Sequence, residues 1–159
     1  MREKGSVEAS KPLYFEDLFV GQRFTSGSHV MSEEEIRAFA AEFDPQPFHR
    51  DAGAAKATFF GGLAASGWHT AAVTMRLNVE GGLPLAGGII GAGGELSWPK
   101  PTRPGDMLHV ESEIVDLKPS RSHPERGTAT VSSRTLNQNG EAVQLFTARL
   151  VVFRRAARK

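Results

Sequence analysis

Cysteine is absent from all 159 residues, which removes disulfides, thiolate metal ligands and a cysteine nucleophile together. Excess charge of either sign is absent too. Nineteen basic residues against 18 acidic ones leave a formal net charge of +1, so no global field draws the chain to nucleic acid or to an anionic membrane. No apolar run approaches the roughly 20 residues of a membrane span. The start, Met1-Arg2-Glu3-Lys4-Gly5, lacks the apolar core of a signal peptide. These absences lead to the expectation of a soluble, cytoplasmic protein with no nucleic-acid or membrane partner. The five histidines, at 29, 49, 69, 109 and 123, show no pairing with acids at metal-ligand spacing, so no metal is expected. Gly91-Ala92-Gly93-Gly94 is no nucleotide loop, because the strand-to-helix setting and the lysine are missing.

What is present fits one domain with a proper core: 40% hydrophobic and 23% charged residues are ordinary globular values. A loose polar leader is expected at 1–11, a single domain at 12–154 and a basic, solvated tail at 155–159. Leu13, Tyr14, Phe15, Leu18 and Phe19 make an apolar lead-in, and 21–31 can form a first strand. Ser32-Glu33-Glu34-Glu35 reads as a capping box. The helix it opens carries Ile36, Phe39, Ala40 and Phe43 on one apolar face, and it must stop at Phe43 or Asp44 because Pro45 follows. A short helical piece is expected over 51–57. A second, long helix over about 65–80 is apolar all round, with Arg76 its one charge before Glu80, and is therefore expected to be buried.

The seven glycines at 81, 82, 87, 88, 91, 93 and 94 suggest a turn-rich crossing. Strands follow. Leu108, Val110 and Ile114 alternate with His109, Glu111 and Glu113. The segments 126–136 and 143–153 flank Asn137-Gln138-Asn139-Gly140, whose Asn-Gly is a hairpin signal. One buried helix with a run of antiparallel strands means an α+β fold in which a curved sheet wraps the helix.

The chemistry concentrates in Phe43-Asp44-Pro45-Gln46-Pro47-Phe48-His49, with Gly67 of Ala65-Ser66-Gly67-Trp68-His69 18 residues after the histidine. An acid and an imidazole five residues apart, on a loop braced by two prolines, can move protons at neutral pH. A helix N-terminus opened by Gly67 can hold developing negative charge on its free N–H groups. Each residue alone has a plainer explanation. Asp44 before proline is a turn residue, His49 a satisfied or surface histidine, Gly67 a point of close packing. It is their order and spacing together that point to a site. His69 is expected to be packed or hydrogen-bonded structurally. Trp98-Pro99-Lys100-Pro101-Thr102-Arg103-Pro104-Gly105-Asp106 is expected to shape a strand entry and wall rather than to do chemistry.

In these residues the chain resembles the MaoC-like dehydratases, also called (R)-specific enoyl-CoA hydratases, of hot-dog fold. The family pattern, Asp-x-Asn-Pro-aliphatic-His followed by a small-residue step ending in Gly, is matched by Asp44-Pro45-Gln46-Pro47-Phe48-His49 and Ala65-Ser66-Gly67. The likeness spans roughly 13–153. It implies a hydro-lyase of acyl-CoA metabolism that adds or removes water across the 2,3 double bond of an acyl-CoA thioester. Asp44 and His49 would be the acid–base pair and the Gly67 N–H would hold the thioester oxygen. Gln46, Phe48, Phe60, Ser66, Trp68 and Arg121 are candidate substrate contacts, with Lys100, Arg103 and Arg126 as further candidates for coenzyme A phosphates. No separate cofactor is implied, since the substrate carries the coenzyme A. The resemblance also implies a homodimer or a dimer of dimers.

Gln46 and Phe48 depart from the usual Asn and aliphatic residue. A serine that assists the site in some members falls by count on Met75, its role absent here or moved to Thr74. Two other functions fit the same fold. A hot-dog thioesterase usually keeps an acid on its long helix, and residues 64–79 contain none. A non-catalytic acyl-thioester-binding protein would have no need of both Asp44 and His49.

Overall fold

The computed structural model describes residues 11–156; the leader up to position 10 and the last three residues of the basic tail lie outside it. A single turn of 3₁₀ helix at Phe15–Asp17 precedes β1 (Arg23–Val30). Helix α1 (Glu33–Phe43) is capped as its sequence dictates. Glu35 N donates to Ser32 Oγ at 3.1 Å and Ser32 N to Glu35 Oε1 at 2.8 Å. The same carboxylate also meets His29 Nε2 at 3.0 Å, tying the helix start back to β1. Ile36 and Ala40 are buried and Phe39 half-buried. Phe43 breaks the expected face. It is the last residue of α1, 65% exposed, and rests on Phe39 rather than on the core.

Two one-turn helices follow, α2 (Pro47–Arg50) and α3 (Ala52–Ala55). The first corrects the expectation of a loop: Pro47 occupies its first position, where a missing N–H costs nothing. Asp51 caps the second through Gly53 N and Ala54 N. Helix α4 (Gly67–Leu77) then continues into a wider π turn at Asn78–Gly82, which Gly81 ends at φ 138°.

Four more strands, β2 (Ile90–Ser97), β3 (Met107–Pro119), β4 (Arg126–Leu136) and β5 (Ala142–Phe153), join β1 in one antiparallel sheet in the order β1-β3-β4-β5-β2. Strand β3 (Met107–Pro119) alternates as read, with Leu108, Val110, Ser112 and Ile114 facing in. Strands β4 (Arg126–Leu136) and β5 (Ala142–Phe153) are joined by the Asn-Gly hairpin, Gly140 at φ 72°. The glycine-rich crossing proves to be partly a strand. Strand β2 (Ile90–Ser97) pairs along β5 at the sheet edge, and a Cβ on Gly94 would collide with the Thr147 carbonyl.

One half of the core packs Val73 and Leu77 of α4 with Met31, Ile36, Leu108, Val110 and Val143. The other half gathers Phe15, Leu18, Leu83 and Leu85 against Ile114, Val131, Leu150 and Val152. The tail is less free than expected. Arg154 lies over Phe15 and pairs with Glu16, while Arg155 lies over Tyr14 and pairs with Asp17.

Helix α4 is not buried all round within the single chain. Trp68, Ala72, Met75 and Val79, spaced by four, three and four residues, form an exposed apolar stripe. Nearly every residue of the neighbouring β2 is exposed as well.

Gly127 packs face to face with the Phe15 ring, and an added Cβ would enter the van der Waals shell of three ring carbons. Gly127→Ala is therefore expected to cost about 1–3 kcal/mol by overpacking. A urea midpoint that does not move would mean that the lead-in turn is not anchored there.

Candidate active site

The backbone around Asp44 sets the site. Helix α1 ends at Asp44, whose N–H still reaches Ala40 O at 2.9 Å, and Pro45 prevents continuation. The chain turns at Gln46, Pro47 restarts it as α2, and His49 is carried to the inner side, buried. From the other side Ala64 N donates to Phe48 O at 3.0 Å and Ala65 N to Thr102 O at 2.9 Å. The two loops thus run alongside each other, with α4 starting immediately beyond.

Asp44 Oδ2 lies 3.4 Å from His49 Nε2. The other ring nitrogen, Nδ1, lies 2.6 Å from the Ala64 carbonyl oxygen. A carbonyl only accepts, so Nδ1 carries a proton, and Nε2 is the histidine atom left to exchange one. Asp44 is itself held. Oδ1 accepts from Gln46 Nε2 at 2.5 Å and Oδ2 from Ser66 Oγ at 2.7 Å. Burial pushes its carboxyl upward, but the bonds from Gln46 and Ser66 and the nearby His49 together outweigh that and hold it below the usual aspartate range. Asp44 is therefore ionised at neutral pH.

These groups open on a cavity of about 600 Å³, lined by Asp44, Gln46, Phe48, His49, Phe59, Phe60, Gly67, Trp68 and the 98–102 wall, with Thr70 and Val143 behind. Gly67 is the first residue of α4, so its N–H has no acceptor one turn back, and none is found elsewhere among the described residues. What makes glycine necessary there is a neighbour. A Cβ would sit 2.5–2.7 Å from three atoms of the Trp98 ring.

The expected site residues divide accordingly. Asp44, His49, Gly67, Gln46, Phe48, Phe60 and Trp68 come together around the cavity. Ser66 does not line it; fully buried, it acts on Asp44. Arg121 and Arg126 lie at the far end of the sheet, in and after the β3–β4 connection, and neither lines the cavity of this chain. Arg103 is not free for a phosphate, because its guanidinium donates to the carbonyls of Phe60, Gly62 and Leu63. Lys100 does line the cavity, paired with Glu141.

Thr74 turns its hydroxyl to Thr70 O and Thr135 Oγ1, away from the pair. It is Thr70 and Thr102, hydrogen-bonded to each other at 2.9 Å, that reach the cavity wall. His69 is packed as expected, stacked on Phe39 at 4.7 Å, and burial lowers its pKa. Sequence reasoning missed Thr70, and its spacing of one turn from Gly67 is the signal that could have found it.

A curved antiparallel sheet with one central helix, and an Asp–His pair beside that helix's N-terminus, define a hot-dog protein. The chain belongs to the MaoC-like domain family, which matches residues 19–137. It is 63% identical to a MaoC-like dehydratase from Rhodospirillum rubrum, with a TM-score of 0.90 over 91% of this chain and 99% of that one. An unliganded R-hydratase from Pseudomonas aeruginosa is 28% identical, with a TM-score of 0.73 over 91% of this chain and 88% of that one. Among curated relatives, the Bacillus subtilis protein YdeM is 36% identical over 86% of this chain and 95% of its own length. Mesaconyl-CoA hydratase of Cereibacter sphaeroides is 41% identical over a shorter stretch, 36% of this chain and 17% of that protein.

Removing the Ser66 hydroxyl tests the electrostatics. In Ser66→Ala the Asp44 titration followed by carboxyl NMR should move up toward the ordinary aspartate value. A carboxyl with a depressed folded-state pKa stabilises the protein above its unfolded pKa, and that contribution is lost as pH falls through the folded value. The variant should therefore lose about 1.5–3 kcal/mol at pH 7, and the deficit should shrink on acidification below the aspartate range. A deficit independent of pH would mean that Ser66 acts by packing alone.

Proposed function

We propose that the protein is an acyl-CoA hydratase/dehydratase, adding or removing water across the 2,3 double bond of an enoyl- or 3-hydroxyacyl-CoA thioester. The observation that carries this reading is Asp44 Oδ2 facing His49 Nε2 across 3.4 Å, on the wall of a cavity that Gly67 at the start of α4 also lines. In the hydration direction a water in the cavity is hydrogen-bonded to both side chains. One of them takes a proton from it as its oxygen bonds to the β-carbon. A proton is delivered to the α-carbon from the same side, and the short gap returns the proton between the pair. Water's H and OH are both added, and nothing else is consumed.

Negative charge collects on the thioester oxygen as the enolate forms. The Gly67 N–H is the donor suited to receive it, and α4 adds the positive end of its dipole. A single oxyanion donor of this kind is worth roughly 3–4 kcal/mol. His49 is kept ready by Ala64, which commits Nδ1 and leaves Nε2 for the transfer. The thioesterase alternative lacks its usual acid, since no Asp or Glu occurs in α4.

We further propose a homodimer. The apolar stripe of Trp68, Met75 and Val79 beside the β2 edge, unpaired among the described residues, supports it, because an edge strand next to an apolar face is a surface that proteins cover.

Asp44→Asn and His49→Ala should each lower hydration of a trans-2-enoyl-CoA roughly 10²–10⁴-fold, the range for a positioned acid or base. Circular dichroism should show both variants folded. A folded double mutant that keeps wild-type rates would sink the assignment, and release of free thiol by the wild type would replace it with a thioesterase. Light scattering at micromolar concentration should give twice the chain mass, and a monomer would contradict the dimer.

A further inference from the structure

Beside the catalytic cavity lies a second, smaller one of about 220 Å³, walled by Leu83, Leu96, Val131 and Phe146, with the exposed Trp68 and Met75 on one side. Its polar side chains are largely satisfied. Ser133 pairs with Ser112 and Thr74 with Thr135, while the unpartnered Asn78 Oδ1 packs against Gly82. An apolar group is the occupant such a space accepts. About 150 Å³ suffices for a benzene-sized molecule, so this cavity takes a chain of on the order of six carbons.

The two cavities are neighbours. Trp68 lines both. Val143 and Thr70 face the first, while Gln144 and Thr74, one residue along β5 and one turn along α4, face the second. Trp98 lines the first and is bonded to Gln144, which lines the second. Its Nε1–H donates to Gln144 Oε1 at 3.0 Å, its ring rests on the bare Gly67 backbone, and Trp68 meets it edge-on at 5.2 Å. Gln144 is buried, so losing this bond would leave its amide oxygen unpaired. The indole is therefore fixed at the boundary between the two cavities.

We propose that the Trp98–Gln144 hydrogen bond is a partition that sets acyl-chain length. With it closed, the acyl group is held in the catalytic cavity alone. With it removed, the chain extends into the second cavity and longer acyl groups are preferred. This rests on the acyl-thioester reading above, and it is tested by binding, which does not depend on turnover.

The experiment is calorimetric titration of the full-length protein with saturated, unreactive butyryl-CoA and octanoyl-CoA. The wild type should bind octanoyl-CoA no more than a few-fold more tightly than butyryl-CoA. In Trp98→Ala the octanoyl-to-butyryl affinity ratio should rise at least tenfold, since four methylenes fully buried are worth on the order of 100-fold. Trp98→Phe keeps a ring but lacks the N–H donor. It should shift the ratio in the same direction by less, and it serves if the alanine variant does not fold.

A wild-type ratio already near 100, or a ratio unchanged in both variants, overturns the partition. Absence of binding by either acyl-CoA overturns it together with the reading on which it rests. Chain-length selectivity that shifts as stated, in a protein that hydrates no enoyl-CoA, upholds the partition and removes the hydratase.

Discussion

The site hangs on one hydrogen bond, from His49 Nδ1 to the Ala64 carbonyl. It fixes the ring's tautomer and its orientation, and so decides that Nε2 faces Asp44. Ala64 can serve only because its own segment is held. Its N–H is bonded to Phe48 O, the next residue to Thr102 O, and the three carbonyls of Phe60, Gly62 and Leu63 to the Arg103 guanidinium. Arg103 is anchored in turn through its backbone N–H on the Asp106 carboxylate. A charged side chain that looked like a ligand for phosphate is thus a clamp on the loop that orients the histidine. Guanidinium geometry explains the choice, since several N–H donors fan out from one plane toward several carbonyls.

The same economy governs the acid. Asp44 is drawn partly out of water, which alone would favour its neutral form, yet two donors from its own loop and from the start of α4 keep it charged. Gln46, the departure from the family's usual asparagine, is one of those donors. Its side chain reaches back to Oδ1. At Gly67 the missing side chain leaves room for the Trp98 indole, and that packing couples the helix start to the chain-length wall.

Much of this was legible in the sequence, and the limits have physical causes. The capping box at Ser32, the stop before Pro45, the alternation through β3 and the Asn-Gly hairpin depend on local chemistry and came out where they were read. The Asp44/His49/Gly67 grouping was visible through spacing and resemblance. What was not legible depends on partners distant in the chain. The glycines of β2 resemble turns until β5 lies against them, and Phe43 has the period of a core residue but sits past the end of the surface its helix covers. The tail arginines looked solvated because Tyr14 and Phe15, more than 130 residues away, were not recognisable as their seats. The stripe on α4 was read as buried because hydropathy does not distinguish a face covered by its own chain from one left open.

The most direct test of the central claim, that Asp44 and His49 act together on one water beside the double bond, is stereochemical. Hydration of a trans-2-enoyl-CoA in D₂O, analysed by NMR of the 3-hydroxyacyl product, should give a single enantiomer. Its α-deuterium and β-oxygen should lie on the same face, because both come from the side on which the pair sits. A racemic product, deuterium and oxygen on opposite faces, or no hydroxyacyl product with any chain length would mean that the pair does not add water from one side.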